Sequence, residues 1–277
     1  MGNGITQIAA QAGNEVILVD VDEKILNKAL HAIKTNTSRV ARKRFNGNQN
    51  QMKPFVEQTM MRIALSTDVK SAVQDTDLVV EAIVENTKVK QELFESLDSS
   101  APQTAIFATN TSSLSGTEIA SLTNRKDKFG GLHFFNPVPV MELVEVVKTE
   151  ETSENTFKLL WDWANSLGKT CIECKDTPGF VVNRLLIPYL NEAIRMVERG
   201  DTSVEDIDLA MKLGAGHPMG PFQLADYSGL DTALAVMNDW HRRFPKNIAF
   251  NPTEMMIKMV KEGKFGVKSG EGFYKYK

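Results

Sequence analysis

M-G-N-G-I-T-Q-I-A-A-Q-A-G-N-E-V-I-L-V-D, residues Met1–Asp20, opens on glycines, runs through a helical pattern and closes in an apolar stretch that ends in an acid. Ile5–Ala12 reads as a helix stopped by Gly13, and Glu15–Asp20 as a short buried strand. Glycine turn, helix and acid-tipped strand follow one another in this order where a chain binds a dinucleotide. Glycines let the backbone approach a pyrophosphate, the helix N-terminus favours its charge, and the acid takes the ribose hydroxyls. Gly2 then serves as the last glycine of the turn and Asp20 as the ribose-binding acid. The alternative for Asp20 is a surface aspartate that merely closes a strand. An acid at this place favours NAD, since it repels the extra phosphate of NADP and no arginine follows it.

The strand series continues at Asp77–Val84 (D-L-V-V-E-A-I-V), Thr104–Thr109, Gly131–Phe135 and Glu142–Val147, with a helical pattern at Val89–Leu97. Strands alternating with helices predict an α/β fold: a Rossmann-like, mostly parallel sheet covered on both faces. Glu23–Leu65 interrupts the rhythm, being long, polar and basic with no strand-like run, and is expected to form an inserted helical hairpin. Beyond Asp176-Thr177-Pro178-Gly179 every pattern is helical. The expected organisation is a nucleotide-binding domain over 1–176, with the hairpin at about 23–65, and an all-helical domain over 177–277.

Bulk composition narrows the function classes. A formal charge of -3 gives no general attraction to nucleic acid, and no apolar run approaches the roughly 20 residues that span a bilayer. The first residues read as folded structure rather than as a signal or transit peptide. Cys171 and Cys174, spaced C-I-E-C, lack the second pair or nearby histidines that metal ligation requires, so no metal is expected. Three residues apart on a strand, they point to opposite faces and read as two reduced thiols.

Polar residues in apolar settings mark candidate chemistry. His133 lies within G-L-H-F-F-N-P, an aromatic strand, where a lone histidine can equally be structural. Glu145 sits between valines in M-E-L-V-E-V-V, on the same strand face as Leu143 and Val147. A carboxylate there needs a cationic or donor partner unless the strand is an exposed edge. Pairing with His133 satisfies both, orienting the imidazole and leaving its other nitrogen to act as a base. Asn183 falls on a helical stripe with Phe180, Ile187, Leu190, Ile194 and Val197, where an amide serves either function or helix packing. Asn110-Thr111-Ser112-Ser113 forms a turn after a strand, at the sheet end where ligands bind.

These segments, E-A-I-V-E-N at Glu81–Asn86, N-T-S-S at Asn110–Ser113, G-L-H-F-F-N-P-V-P-V-M at Gly131–Met141, K-D-T-P-G-F-V-V-N-R at Lys175–Arg184 and G-E-G-F-Y-K-Y at Gly270–Tyr276, resemble those of L-3-hydroxyacyl-CoA dehydrogenases. The resemblance runs from Gly2 to Lys277. It implies NAD as cofactor and oxidation of a 3-hydroxyacyl-CoA to the 3-ketoacyl thioester in fatty-acid β-oxidation. It further implies His133 as base with Glu145 as partner, and Ser112 and Asn183 as hydrogen-bonding groups at the reacting oxygen. Asp20, Glu85, Lys90, Asn136 and Lys268 would contact or border NAD. Lys43 would meet the coenzyme A end, and its neighbours Arg39, Arg42 and Arg44 suit an anion, although such a cluster is more commonly a solvated helix face. The family pairs through its C-terminal region, implying a homodimer. Its eukaryotic form is mitochondrial, implying the matrix for a eukaryotic source and the cytoplasm otherwise.

One departure bears on function. The family's first strand and first two fingerprint glycines are missing ahead of Gly2. If that strand carries about four buried aliphatic residues, its absence forfeits about 6–12 kcal/mol, comparable with a whole domain's margin. The expectation is a longer product in which Met1 is internal. The alternatives are a non-catalytic or weakly active short form that has lost NAD, or a related dehydrogenase of other β-hydroxy acids.

Overall fold

The computed structural model describes residues 1–276. The strands among them are β1 (Val16–Val19), β2 (Ile63–Ser66), β3 (Leu78–Glu81), β4 (Ile106–Thr109), β5 (Phe129–Phe134), β6 (Leu143–Lys148) and β7 (Thr170–Lys175). β1 and β2 pair in parallel as a two-stranded sheet, and β3-β4-β5-β6-β7 form a second sheet in sequence order. All its pairings are parallel except β5 with β6. The mostly parallel α/β architecture is therefore as expected. β2 is not: the expected hairpin, Glu23–Leu65, takes in its first three residues. Alanine and serine dilute its apolarity, and it begins one residue after a helix, so it carries no strand signature of its own.

The helices of the first compact unit, Met1–Phe180, are α1 (Gly2–Gln11), α2 (Glu23–Arg44), α3 (Gln49–Met61), α4 (Val69–Ala72), α5 (Thr87–Asp98), α6 (Gly116–Ile119) and α7 (Glu154–Ser166). Local chemistry sets their ends. Asp22 caps α2 by accepting from Lys24 N–H at 2.7 Å, while Arg42, Lys43 and Arg44 occupy its last turn, where cations suit the dipole. α2 buries Leu26, Ala29, Ile33, Thr37 and Ala41, a single stripe at three- and four-residue spacing. α2 and α3 form the inserted hairpin, closed by the edge-on pair Phe45 and Phe55 at 5.6 Å.

Two apolar layers cover the five-stranded sheet. Leu132, Phe134, Val144 and Val146 pack with Ile5 and Ile8 of α1 and with Leu160 and Ala164 of α7. Phe107 and Phe129 pack with Phe94 and Leu97 of α5 and with Ile119. α1 also lies against β1, so it covers both sheets. Gly130 and Gly131 are required by this closeness: a Cβ on either would come within 2.6 Å of Leu160 or 2.7 Å of Val147.

The second unit begins at Val181 and comprises α8 (Val182–Glu198), α9 (Val204–Gly214), α10 (Pro221–Ser228), α11 (Leu230–Arg243) and α12 (Glu254–Lys261), with no strand among the described residues. Its core joins Leu190, Ile194, Phe222, Leu230, Met237 and Met256. Two buried aspartates anchor the end of the chain. Asp208 accepts from Phe222 N–H, Gln223 N–H and the Tyr274 hydroxyl, and Asp226 accepts from Phe273 N–H, Tyr274 N–H and the Tyr276 hydroxyl. The expected helical stripe needs one correction. Phe180 precedes α8 and is not helical, and the fully buried amide of α8 is Asn191, which donates to Asn251 O at 2.7 Å. Asn183 is half-buried in the first turn of α8.

Candidate active site

β5 and β6 are antiparallel with His133 directly opposite Glu145. Cross-strand partners share a face, and here the alternation separates two chemistries. Leu132, Phe134, Val144 and Val146 point into the apolar layer under α1 and α7, while His133 and Glu145 share the other face with Val147. His133 Nδ1 lies 2.6 Å from Glu145 Oε2, with 6% and 0% of the two side chains exposed. A buried carboxylate at this distance takes Nδ1–H as its donor, which leaves Nε2 with a lone pair. The rings of Phe135 and Phe180 lie 4.5 and 5.5 Å from the imidazole. The geometry can accept a proton at Nε2 and stabilise the resulting cation.

The carboxyl ends of β3 and β4 meet in a second polar cluster. Lys90, 1% exposed, lies 2.6 Å from Glu81 and 3.2 Å from Glu85. Glu81 also accepts from Thr109 Oγ1 at 2.6 Å and from Ile83 N–H at 2.7 Å. Glu85 accepts from the Thr111 hydroxyl, from Ser112 N–H at 3.1 Å and from Ser113 Oγ at 3.3 Å. Partial burial works against its charge, but the Lys90 ammonium and the donors Thr111, Ser112 and Lys90 outweigh that, holding the carboxyl below its ordinary range. The turn after β4 is also fixed from two other directions. Asn110 Oδ1 accepts from Phe134 N–H at 2.9 Å, and Asp176 takes Ser115 Oγ, Gly116 N–H and Thr117 N–H at 2.7, 3.0 and 2.8 Å. Ser112, Glu85, Lys90 and the end of β5 are thus tied into one edge of the sheet.

Asp20 directly follows β1 at its carboxyl end, half-buried, with Oδ1 accepting from Val21 N–H at 2.8 Å. Gly2 is the first residue of α1, whose opening turn carries no acid and no side-chain cap, so its N–H groups suit an anion. Gly4 makes the close approach: a Cβ there would come within 2.7 Å of Val138, whereas one on Gly2 would sit 3.9 Å from Ala82. This donor set fits a dinucleotide. Asn136 is exposed just past β5. Lys43 is exposed on α2, while the neighbouring Arg44 lies about equally over the rings of Phe45 and Phe55, at 5.5 and 5.4 Å. Lys268, in the second unit, is ion-paired with Asp231 at 2.6 Å.

Sequence reasoning missed Glu81, Asn110 as a ligand of the Phe134 backbone, and the aromatic neighbours Phe135 and Phe180. Glu81 carried a usable signal, an acid within the run L-V-V-E-A-I-V. The two thiols are free; Cys171 and Cys174 belong to different apolar clusters, and burial with the charges of Glu145 and Glu173 pushes the Cys174 thiol up to about 12. No group of histidine, cysteine and acidic residues among those described could hold a metal ion.

An imidazole held by a buried carboxylate, at the ligand-binding edge of a dinucleotide-type sheet, suits an oxidoreductase that removes hydrogen from an alcohol. Comparison with known proteins is specific on this point. The 3-hydroxyacyl-CoA dehydrogenase NAD binding domain matches residues 1–177, and the C-terminal domain of the same enzymes matches 179–276. The human mitochondrial hydroxyacyl-coenzyme A dehydrogenase is 58% identical over 277 residues, covering 100% of this chain and 88% of its own. A probable 3-hydroxybutyryl-CoA dehydrogenase of Bacillus subtilis is 44% identical, covering 100% and 94%. The crystal structure of (S)-3-hydroxybutyryl-CoA dehydrogenase from Ralstonia eutropha superposes with a TM-score of 0.94 at 39% identity, over 100% of this chain and 95% of that one. The chain belongs to the 3-hydroxyacyl-CoA dehydrogenase family.

Proposed function

We infer that the protein oxidises L-3-hydroxyacyl-CoA thioesters to 3-ketoacyl-CoA in fatty-acid β-oxidation, with His133 as the general base. The observation that carries this reading is the buried 2.6 Å contact between His133 and Glu145 at the ligand-binding edge of the sheet. The proton of the substrate's 3-hydroxyl passes to His133 Nε2, while Glu145 holds Nδ1–H and balances the imidazolium charge. NAD, when bound, supplies the hydride acceptor; Gly2, Asp20, Glu85, Lys90, Asn136 and Lys268 are assigned to hold or border it. Family resemblance supports Ser112 and Asn183 at the reacting oxygen. It likewise supports Lys43 at the coenzyme A end, where Arg39 and Arg42 add exposed positive charge.

In this reading the first unit is the NAD-binding domain and the second a substrate and dimerisation domain. The mitochondrial relatives support the matrix as location for a eukaryotic source, and the bacterial ones the cytoplasm otherwise. No helix of the described residues is long and apolar enough to cross a membrane.

The test follows NADH consumption with acetoacetyl-CoA, with free acetoacetate, and with neither. Turnover with the thioester alone is expected, and His133→Gln is expected to abolish it while leaving the circular dichroism spectrum unchanged. Equal rates with the free keto acid refute the thioester assignment, and near-normal rates in His133→Gln refute the base.

A further inference from the structure

Phe180 holds a backbone conformation that its side chain does not favour. Its φ is 51°, and among the described residues the other non-glycine position with positive φ is Asn46, a type that tolerates this region. A left-handed backbone is costly for an ordinary residue, because its Cβ crowds the following carbonyl oxygen. The turn before it is well formed: Pro178 and Gly179, the latter at φ 77°, occupy its centre, and Phe180 N–H closes it on Thr177 O at 2.9 Å. Glycine at 180 would remove the cost. The aromatic ring must therefore contribute something that offsets it.

What the ring touches is specific. Phe180 is 6% exposed and packs with Val147 and Cys174 on the sheet face that carries His133 and Glu145. Its ring centroid is 5.5 Å from that of His133 at an interplanar angle of 53°, within the range of favourable aromatic pairs. Phe135 makes the comparable contact at 4.5 Å and 51°. The hydrogen bond to Glu145 fixes where Nδ1 sits but leaves the ring free to tilt about that end. Contact with two aromatic rings restricts the tilt, and with it the direction of Nε2.

We propose that Phe180 is a positioning residue for the reaction, its ring carried on a strained left-handed turn to hold the plane of the His133 imidazole. This rests on His133 being the base. Misalignment of a reacting group by about an ångström can cost a hundredfold in rate, and loss of one of two packing partners is expected to produce a smaller tilt. Phe180→Leu, which keeps apolar bulk but no ring, is expected to lower kcat about tenfold while leaving the KM for acetoacetyl-CoA and for NADH nearly unchanged.

The second readout is independent of turnover. With 13C-labelled histidine, the ring resonances of His133 should move when the Phe180 ring current is removed, while those of His31, His217 and His241 stay in place. Phe180→Met is the substitute if Phe180→Leu does not fold. An unchanged kcat, or a fall in kcat accompanied by an equal rise in KM and unmoved His133 resonances, would overturn the proposal. His133→Gln, assayed alongside, keeps the two failures apart. A fast His133→Gln removes the base, whereas a slow His133→Gln beside a fast Phe180→Leu removes only the role of Phe180.

Discussion

Replacing Glu145 with Gln keeps the side chain's shape and removes its charge from beside His133. The two groups are 2.6 Å apart and nearly inaccessible to water. When the imidazole takes the substrate's proton, it becomes a cation next to that carboxylate. With charge centres about 4 Å apart and an effective dielectric of about 20, their attraction is about 4 kcal/mol. At about 1.4 kcal/mol per decade, losing all of it slows the reaction by roughly a thousandfold. The amide oxygen still accepts from Nδ1–H and retains part of the interaction, so a loss in kcat of about 100- to 1,000-fold is expected. The assay is steady-state NADH absorbance with acetoacetyl-CoA across a range of pH, for Glu145→Gln, His133→Gln and the double variant. If the residues work as a unit, the double variant is no slower than His133→Gln alone. A Glu145→Gln enzyme within a few-fold of wild type with an unchanged pH–rate profile would refute the reasoning, as would losses that simply multiply in the double variant.

Asp20→Ala removes an anionic acceptor for two ribose hydroxyls, and its KM for NAD should rise about 10- to 100-fold; an unchanged value would return Asp20 to the surface. Glu85 is held below the ordinary carboxylate range, so its charged form stabilises the fold above that range and the contribution disappears as pH falls through the lowered value. Glu85→Gln should therefore lose less stability than wild type when thermal unfolding is followed from neutral to acid pH, and parallel curves would contradict this. Cys171 is buried and its thiol pushed upward, and Cys174 is raised to about 12, so neither should react with iodoacetamide at neutral pH until the protein is unfolded. Rapid labelling of the native protein would show that these thiols are accessible.

The legible parts of this protein were those written in one strand or one helix. β1, β3, β4, β5 and β6 are apolar runs, and the alternation of L-V-E-V-V alone places Glu145 on a definable face. β2 escaped because I-A-L-S has no such signature and draws its strand character from pairing with β1. Phe180 departs from expectation for the opposite reason: an apolar residue at helical spacing fits the stripe of α8, and only the Pro178-Gly179 turn takes it out. The Glu81–Lys90 pair joins a strand to the following helix across nine residues, and Asn110 reaches Phe134 across 24. Such contacts follow from strand order, which no local period encodes. Assignments such as Lys43 and Lys268 rest on resemblance, since each has an ordinary structural alternative in its own surroundings.

Register is the feature on which the chemistry turns. Side chains alternate across a strand, so a one-residue slip of β5 against β6 would send His133 into the apolar layer under α7 and bring Leu132 and Phe134 to the site. The pattern forbids this from both sides. Leu132 and Phe134 are 2% exposed or less, and a slip of β5 would take both out of the apolar layer they share with Val144 and Val146 and put His133 in their place. Gly130 and Gly131 add a steric condition, because the space above them is filled by Leu160 and Val147 and admits no larger neighbour in either position. The hydrophobic layer on the opposite face thus sets the register that places His133 across from Glu145. Altering that layer, rather than the pair itself, would displace His133 from Glu145 while leaving both residues present.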